Sequence, residues 1–344
     1  MSRPAGGVPT VSVVVPTHDR AELLPRLLHS VLGQEAVDLE LLVVDDGSRD
    51  STPEVLGRCS DPRLRVLRHA QARGVAAARN TGTSAAVGRW VAWCDDDDVW
   101  APAKLRLQLQ ALADSPGALW CNGGAAYVDP ALRLSRVRSC PDPRSIARDM
   151  LQANAITGGG SGVLADRELV LRLGAFDPAF SMYADWDMWA RLAHAAPLAV
   201  VDRPLVGYVQ HAGGMSQRTL HLAFDELDAL EASLARLGAR RGLPPQLDRK
   251  GLGMWMLRQQ TSAGRRVDNL VLPFRLLRRR LVSPARAVAY SVLTAGAPAL
   301  IERRWASFWE VDPDPMDYAR AWLEVLRERE RGATGLRQGS ASSR

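Results

Sequence analysis

Lysine is nearly absent. Lys104 and Lys250 are the only two in 344 residues, so arginine carries almost all the positive charge. We read this mostly as base-composition bias and not as a design for phosphate binding. Cysteine is scarce too. Cys59, Cys94, Cys121 and Cys140 form no C-x-x-C pair and have no suitably spaced histidine. That argues against a zinc site or a disulfide framework, and it favours reduced thiols in the cytoplasm. Met1 to Pro9 lacks the apolar core of a signal peptide. The most apolar late stretch, Ala287 to Ile301, is too short to span a bilayer and contains Pro298. No G-x-G-x-x-G follows the first strand pattern, and no G-x-x-x-x-G-K-[ST] occurs anywhere. Nicotinamide-dependent and P-loop chemistry are therefore disfavoured.

What is present suits a folded chain. Hydrophobic residues make up 47% and charged residues 24%, enough to bury a core. The formal charge of +6 hides a split. Residues 1–230 carry 23 basic and 27 acidic residues, whereas 231–344 carry 21 and 11. The basic excess belongs to the last third, and it needs its own explanation.

The first hundred residues alternate strand and helix patterns. Val11–Val15 is a β-branched run that Pro16 should end. Apolar spacing predicts a helix over 22–33, a strand over 39–44 and a helix opening at Ser51-Thr52-Pro53. A strand over 64–67, a helix over 74–87 and a strand over 90–94 follow. This order implies an α/β fold with a mostly parallel sheet flanked by helices. Ligands bind such sheets at the carboxyl ends of the strands. Thr17–Arg20, Asp45–Ser48 and Asp95–Asp98 all fall there. Further on, the pattern predicts helices over 104–112, 166–173 and 185–195, extended chain over 118–128 and 198–208, and a glycine-rich loop at Thr157–Gly162. From about 218 it is helical, and 332–344 reads as a frayed tail.

Four successive aspartates, Asp95 to Asp98, repel one another unless a cation or strong donors hold them. A solvated acidic turn is the plain alternative. Their place at a strand end, between Trp93 and Trp100, favours a site for Mg²⁺ or Mn²⁺ with phosphate oxygens. Asp45-Asp46-Gly47-Ser48 reads either as an Asx turn or as a nucleoside-binding carboxylate.

Together these segments resemble the family 2 glycosyltransferases, which have the GT-A fold. The resemblance rests on Val11–Arg20, Val43–Ser48, Gly74–Gly82, Asp95–Trp100 with Pro102–Leu105, Gly174–Asp177 and Asp185–Arg191. It covers roughly residues 10–216 and implies a catalytic domain over 1–217, with a helical region over 218–331 outside it. It implies that Pro16, Thr17, Asp19, Asp46, Arg79, Asn80 and Asp95 surround a nucleotide-diphosphate sugar. Asp97, Asp98 and His211 are the candidate metal ligands, and Asp185 is the candidate base. Ala184 stands where the family often has an acidic residue. Asp187 is the second candidate base. Trp186 is a candidate for stacking on a sugar, and Gly160 lies in the loop expected to shape the acceptor site.

The implied chemistry is inverting transfer of a sugar to an acceptor hydroxyl, with a divalent ion at the diphosphate. The alternatives are a nucleotidyltransferase or a non-catalytic nucleotide-sugar binder. Residues 258–304 hold ten arginines against Asp268 and Glu302. That stretch is a candidate for peripheral contact with an anionic membrane, or simply a solvated face. No nucleic-acid motif accompanies the charge. A homodimer through the helical region is a further expectation.

Overall fold

The computed structural model describes residues 8–211, 222–243, 247–262, 268–284, 287 and 313–339. Its centre is a nine-stranded mixed sheet. The strands are β1 Val11–Thr17, β2 Leu39–Asp45, β3 Leu64–Arg68, β4 Trp90–Trp93, β5 Val99–Trp100, β6 Trp120–Val128, β7 Leu134–Arg138, β8 Val163–Asp166 and β9 Leu198–Val209. They lie in the order β3-β2-β1-β4-β8-β6-β9-β5, with β7 added to β6. The half β3-β2-β1-β4 is parallel, as is β6 with β9. β8 runs antiparallel between β4 and β6, and β5 and β7 are antiparallel to β9 and β6. This is the mixed, mainly parallel α/β sheet that the resemblance implied.

Alternation decides the packing. Val14, Leu42, Val91 and Trp93 face one layer, with Phe176, Trp189 and the later helices. Val11, Val13, Val15, Leu41 and Val43 face the other, with Leu24, Leu27, Val31 and Leu105. Both faces are covered, so β1 and β2 read as continuous apolar runs. β1 does not end at Pro16 as expected. β4 pairs with β1 only as far as Val14, so beyond it β1 bonds to β2 alone, and the missing N–H of Pro16 leaves no gap in the ladder.

The helices that matter for the site are α1 Leu24–Leu32, α2 Thr52–Gly57, α3 Val75–Ala85, α4 Lys104–Ala113, α5 Ile146–Asp149, α6 Arg167–Arg172 and α7 Ala184–Ala195. Among the described residues four more follow, Leu222–Asp225, Leu227–Ala239, Arg249–Ser262 and Asp268–Arg278, before the last, Pro313–Gly339. That last helix reaches past the position where a frayed tail was expected. It returns to the sheet: Ala319, Trp322, Leu323 and Leu326 are buried in the second layer, and Trp322 Nε1 donates to the Pro204 carbonyl at 3.1 Å. Arg26 of α1 also donates to Glu330, at 2.5 Å.

No helix among the described residues is long and apolar enough to cross a membrane. Much of the arginine-rich stretch 258–304, nearly all of Ala287–Ile301, and residues 212–216 after His211 lie outside the described residues.

Candidate active site

The ends of β1, β2 and β4 meet at one edge. There the backbone N–H of Asp46 donates to the Thr17 carbonyl at 2.8 Å. Asp45 is buried and structural: it accepts from the Ser48 N–H at 2.9 Å, with Arg68 at 3.5 Å. Asp46 takes the backbone N–H groups of Arg73 and Gly74, at 2.9 and 2.8 Å, and pairs with His69 Nδ1 at 2.6 Å. Both of its oxygens are therefore engaged in ordering the turn before α3. Asp19 has a left-handed backbone, φ 53°, and its carboxylate accepts from the Arg49 and Asp50 N–H groups, at 2.7 and 3.2 Å. Those bonds, the Arg49 one above all, hold its carboxyl below the usual range. Pro16 and Thr17 are buried beneath this loop.

The four aspartates coexist because each turns to different partners. Asp98 N–H donates to the Asp95 carbonyl at 3.1 Å, so the run is a turn and not a strand. Asp95 pairs with Arg79 at 2.5 Å. Asp96 lies 3.6 Å from Arg20. Burial, with the charge of Asp97 next, pushes its carboxyl up to about 7. Asp97 Oδ2 meets His211 Nε2 at 3.0 Å. Asp98 is fully buried, taking the Ser161 hydroxyl at 2.5 Å and the Val209 N–H at 3.1 Å. Burial, then the charges of Asp97 and Asp95, raise its carboxyl well above the usual range.

This arrangement narrows the metal set. Asp98 was a candidate ligand, but it faces inward with both oxygens engaged, and it fastens β9 to the loop containing Ser161. Asp97 and His211 remain partly exposed and adjacent, with side chains 19% and 16% accessible. Among the described residues no three His, Cys, Asp or Glu side chains form a ready cage. Mg²⁺ and Mn²⁺ commonly use one or two carboxylates and complete their shell with substrate phosphates and water. The residues present fit that pattern.

Asp185 opens α7. Its Oδ1 accepts the N–H of Trp186 at 2.7 Å, and Asn154 Nδ2 lies 3.4 Å from Oδ2. Burial raises its carboxyl above the usual range, the positive charge of Arg79 opposes that rise, and Asp95 adds to it. Between Asp185 and Asp95 runs the glycine-rich loop, a 3₁₀ turn over Gly159–Gly162 with Gly158 and Gly159 at positive φ. A Cβ on Gly160 would lie 2.5 Å from Arg79 Nη2 and 2.9 Å from Asp95 Oδ1. Only glycine lets the backbone come so close. Gly160 is thus a spacer at the Arg79–Asp95 pair.

Three other residues take structural places. Asn80 donates to the Phe176 carbonyl at 2.7 Å and accepts its N–H at 2.9 Å, pinning the Gly174–Asp177 turn to α3. Trp186 is 4% exposed, with its Nε1 donating to the Met150 carbonyl at 2.8 Å and its ring edge-on to Tyr183. Its expected sugar-stacking face is closed by packing. Asp187 is buried, accepting from Arg191 at 2.7 Å and from the Ser233 hydroxyl at 2.6 Å, which removes it as the second candidate base.

The structure also adds residues that the sequence reading left unassigned. Arg20 reaches the aspartate run. Ser161 bridges Asp95 and Asp98, accepting the Asp95 N–H at 2.9 Å. Tyr208 lies against Gly159 and packs its ring, tilted by 49°, on Tyr127 at 5.2 Å. Arg20 had a signal in its place just after the first strand, and Ser161 in its place in the glycine-rich loop.

Comparisons with known proteins bear on the family and the fold. The family model for glycosyl transferase family 2 matches residues 12–173. The succinoglycan biosynthesis protein ExoO of Rhizobium meliloti is 31% identical over 66% of this chain and 67% of its own length. The putative teichuronic acid biosynthesis glycosyltransferase TuaG of Bacillus subtilis is 32% identical, over 46% of this chain and 63% of its own. Among solved structures, S. aureus TarS with UDP-GlcNAc covers 86% of this chain and 92% of its own at TM-score 0.52 and 16% identity. The mannosyltransferase PcManGT of Pyrobaculum calidifontis, with GDP-Man and Mn²⁺, covers 94% and 87% at TM-score 0.50 and 22% identity. These two likenesses concern the fold. With the ordered strand-end carboxylates, the matched family model and the match to ExoO, the chain belongs to the family 2 glycosyltransferases, and it is a glycosyltransferase.

Proposed function

We propose that the chain transfers a sugar from a nucleotide-diphosphate donor to an acceptor hydroxyl with inversion, and that the acceptor is a growing glycan. The carrying observation is Asp185, half-buried at the start of α7 beside the Arg79–Asp95 pair and across the glycine-rich loop from the aspartate run. The nucleotide would lie along Pro16–Asp19 and the turn that Asp46 orders. Asp97 and His211 would hold Mg²⁺ or Mn²⁺ at the donor's phosphates, where the ion neutralises charge on the leaving diphosphate. Asp185 takes the proton from the attacking hydroxyl. Its raised basicity suits that task, and the charge of Arg79 favours its ionised form. Asp95, held by Arg79, is not presented as a second nucleophile, which favours one displacement and hence inversion.

Bound donors in TarS and PcManGT support the donor class, and Mn²⁺ in PcManGT supports a divalent ion. The names of ExoO and TuaG support a polysaccharide product. Family membership argues against the nucleotidyltransferase and the non-catalytic readings. The test is Asp185→Asn, assayed by nucleotide release with Mn²⁺ and by donor-induced thermal shift. Transfer should fall by about 10²–10⁴ with donor binding kept. A folded variant with normal turnover would overturn the assignment.

A further inference from the structure

The far end of α7 borders a cavity of about 550 Å³ whose wall includes Arg172, Arg191, His194, Arg236, Arg240 and Arg241, and no carboxylate. Small-molecule sites run to roughly 300–1,000 Å³, so the size suits a ligand. Elsewhere the arginines are commonly paired, as Arg63 is with Asp61, Arg65 with Glu40 and Arg133 with Asp129. In this wall only Arg191 is neutralised at close range, by buried Asp187 at 2.7 Å, while Arg172 reaches solvent-exposed Glu168 at 3.8 Å. No ion pair joins Arg236, Arg240 or Arg241 to a carboxylate among the described residues.

Part of the cluster answers helix ends. Arg191 donates to the Leu173 and Ala175 carbonyls, both at 2.7 Å, and Arg241 to the His194 carbonyl at 2.8 Å. That need leaves Arg236 and Arg240 unexplained. The His194 ring takes no part in this: its Nδ1 donates to the Ala190 carbonyl at 2.9 Å, which leaves Nε2 of the neutral ring an acceptor, shielded from water. Guanidinium groups lining one cavity favour an anion among them, and their planar forks match phosphate oxygens.

We propose that this cavity is a binding site for a phosphoryl-bearing anion of about diphosphate size, separate from the donor site. His194 lies nine residues along α7 from Asp185, about 14 Å at the helical rise, so one diphosphate cannot occupy both. The same chemistry is offered by a soluble phosphoryl compound and by a lipid phosphate headgroup.

The test is calorimetric titration of inorganic diphosphate into the full chain, in EDTA at low salt, beside the Arg236→Glu/Arg240→Glu and Asp97→Asn variants. Both arginines are exposed, so the double variant should fold, which circular dichroism checks. Co-sedimentation with phosphatidylglycerol/phosphatidylcholine vesicles, against phosphatidylcholine alone, separates the sources. Either probe should bind the wild type and Asp97→Asn alike and bind the arginine variant about tenfold or more weakly. Diphosphate binding without vesicle retention assigns a soluble ligand, and vesicle retention that needs the arginines assigns a headgroup. No binding of either probe, equal binding by the arginine variant, or binding lost only in Asp97→Asn overturns the proposal.

Discussion

Arg79 stands between two carboxylates: its Nη2 donates to Asp95 at 2.5 Å, and its charge also acts on Asp185. It is fully buried, so this coupling is weakly screened by solvent. Asp185 titrates above the usual carboxylate range because burial outweighs Arg79. Replacing Arg79 by Leu removes the opposing influence and should push Asp185 higher still. The acid limb of the pH–rate profile of nucleotide release should then move to higher pH in Arg79→Leu. An acid limb that stays in place would uncouple Arg79 from Asp185.

A side chain at Gly160 should disturb the Arg79–Asp95 pair. The alanine Cβ would press on Arg79 Nη2 and Asp95 Oδ1, so that pair must shift. A misplacement of about 1 Å in a reacting site can cost 10²-fold in rate. Gly160→Ala should therefore lower kcat by about that factor with its melting temperature nearly unchanged. Kinetics beside a thermal melt checks both halves.

Asp185 and Asp187 are two residues apart on α7 and should fail differently. Asp187 anchors Arg191 and Ser233 in the interior. Asp187→Ala takes the carboxylate from the half-buried Arg191 and leaves the Ser233 hydroxyl without its acceptor, and should cost about 1–3 kcal/mol of stability. Urea unfolding should show this, whereas Asp185→Asn should unfold near the wild-type midpoint.

Lys104 should make stability rise with pH. It is fully buried, donating to Gln108 at 2.8 Å and lying 3.8 Å from the Trp100 ring centroid. Burial lowers its ammonium from 10.5 to about 7. Between those values the unfolded chain holds a proton that the folded chain lacks, so folding becomes easier as pH increases. Below about pH 7 the penalty of the buried charge is complete, on the order of a few kcal/mol. Carboxylates and thiols titrate differently in the two states as well, so the useful quantity is the difference from Lys104→Met. That variant should gain most over the wild type near pH 6.5 and less by pH 8.5, read from urea midpoints.

Asn80→Ala should destabilise the protein by about 2–4 kcal/mol, because it strands the N–H and carbonyl of Phe176. Aspartate there keeps only the acceptor and should recover part of the loss. Chemical denaturation of the two variants checks the order.

Much of the framework was legible because its signals are local. The runs at Val11, Leu39 and Trp90 carry both their strand type and their burial, and the carboxylates after them mark the ligand edge. β8 was not legible: Val163–Asp166 is four residues long and is identified only by lying between β4 and β6. The site was legible as residue types and not as directions. Four aspartates in a row give no hint that Asp98 turns inward while Asp97 meets His211. An aromatic beside Asp185 does not reveal that Met150, distant in sequence, offers a carbonyl to its indole. Side-chain direction there depends on partners tens of residues away.

The last helix is more than a cover for the sheet. Trp322 would touch a Cβ placed on Gly207, four residues before His211 on the strand side. A chain shortened at residue 312 would lose the wall against which β9 is pressed and would uncover the apolar surface around Val99 and Val206. The cut would be made far along the sequence, yet its first chemical symptom should be a loosened contact between His211 and Asp97.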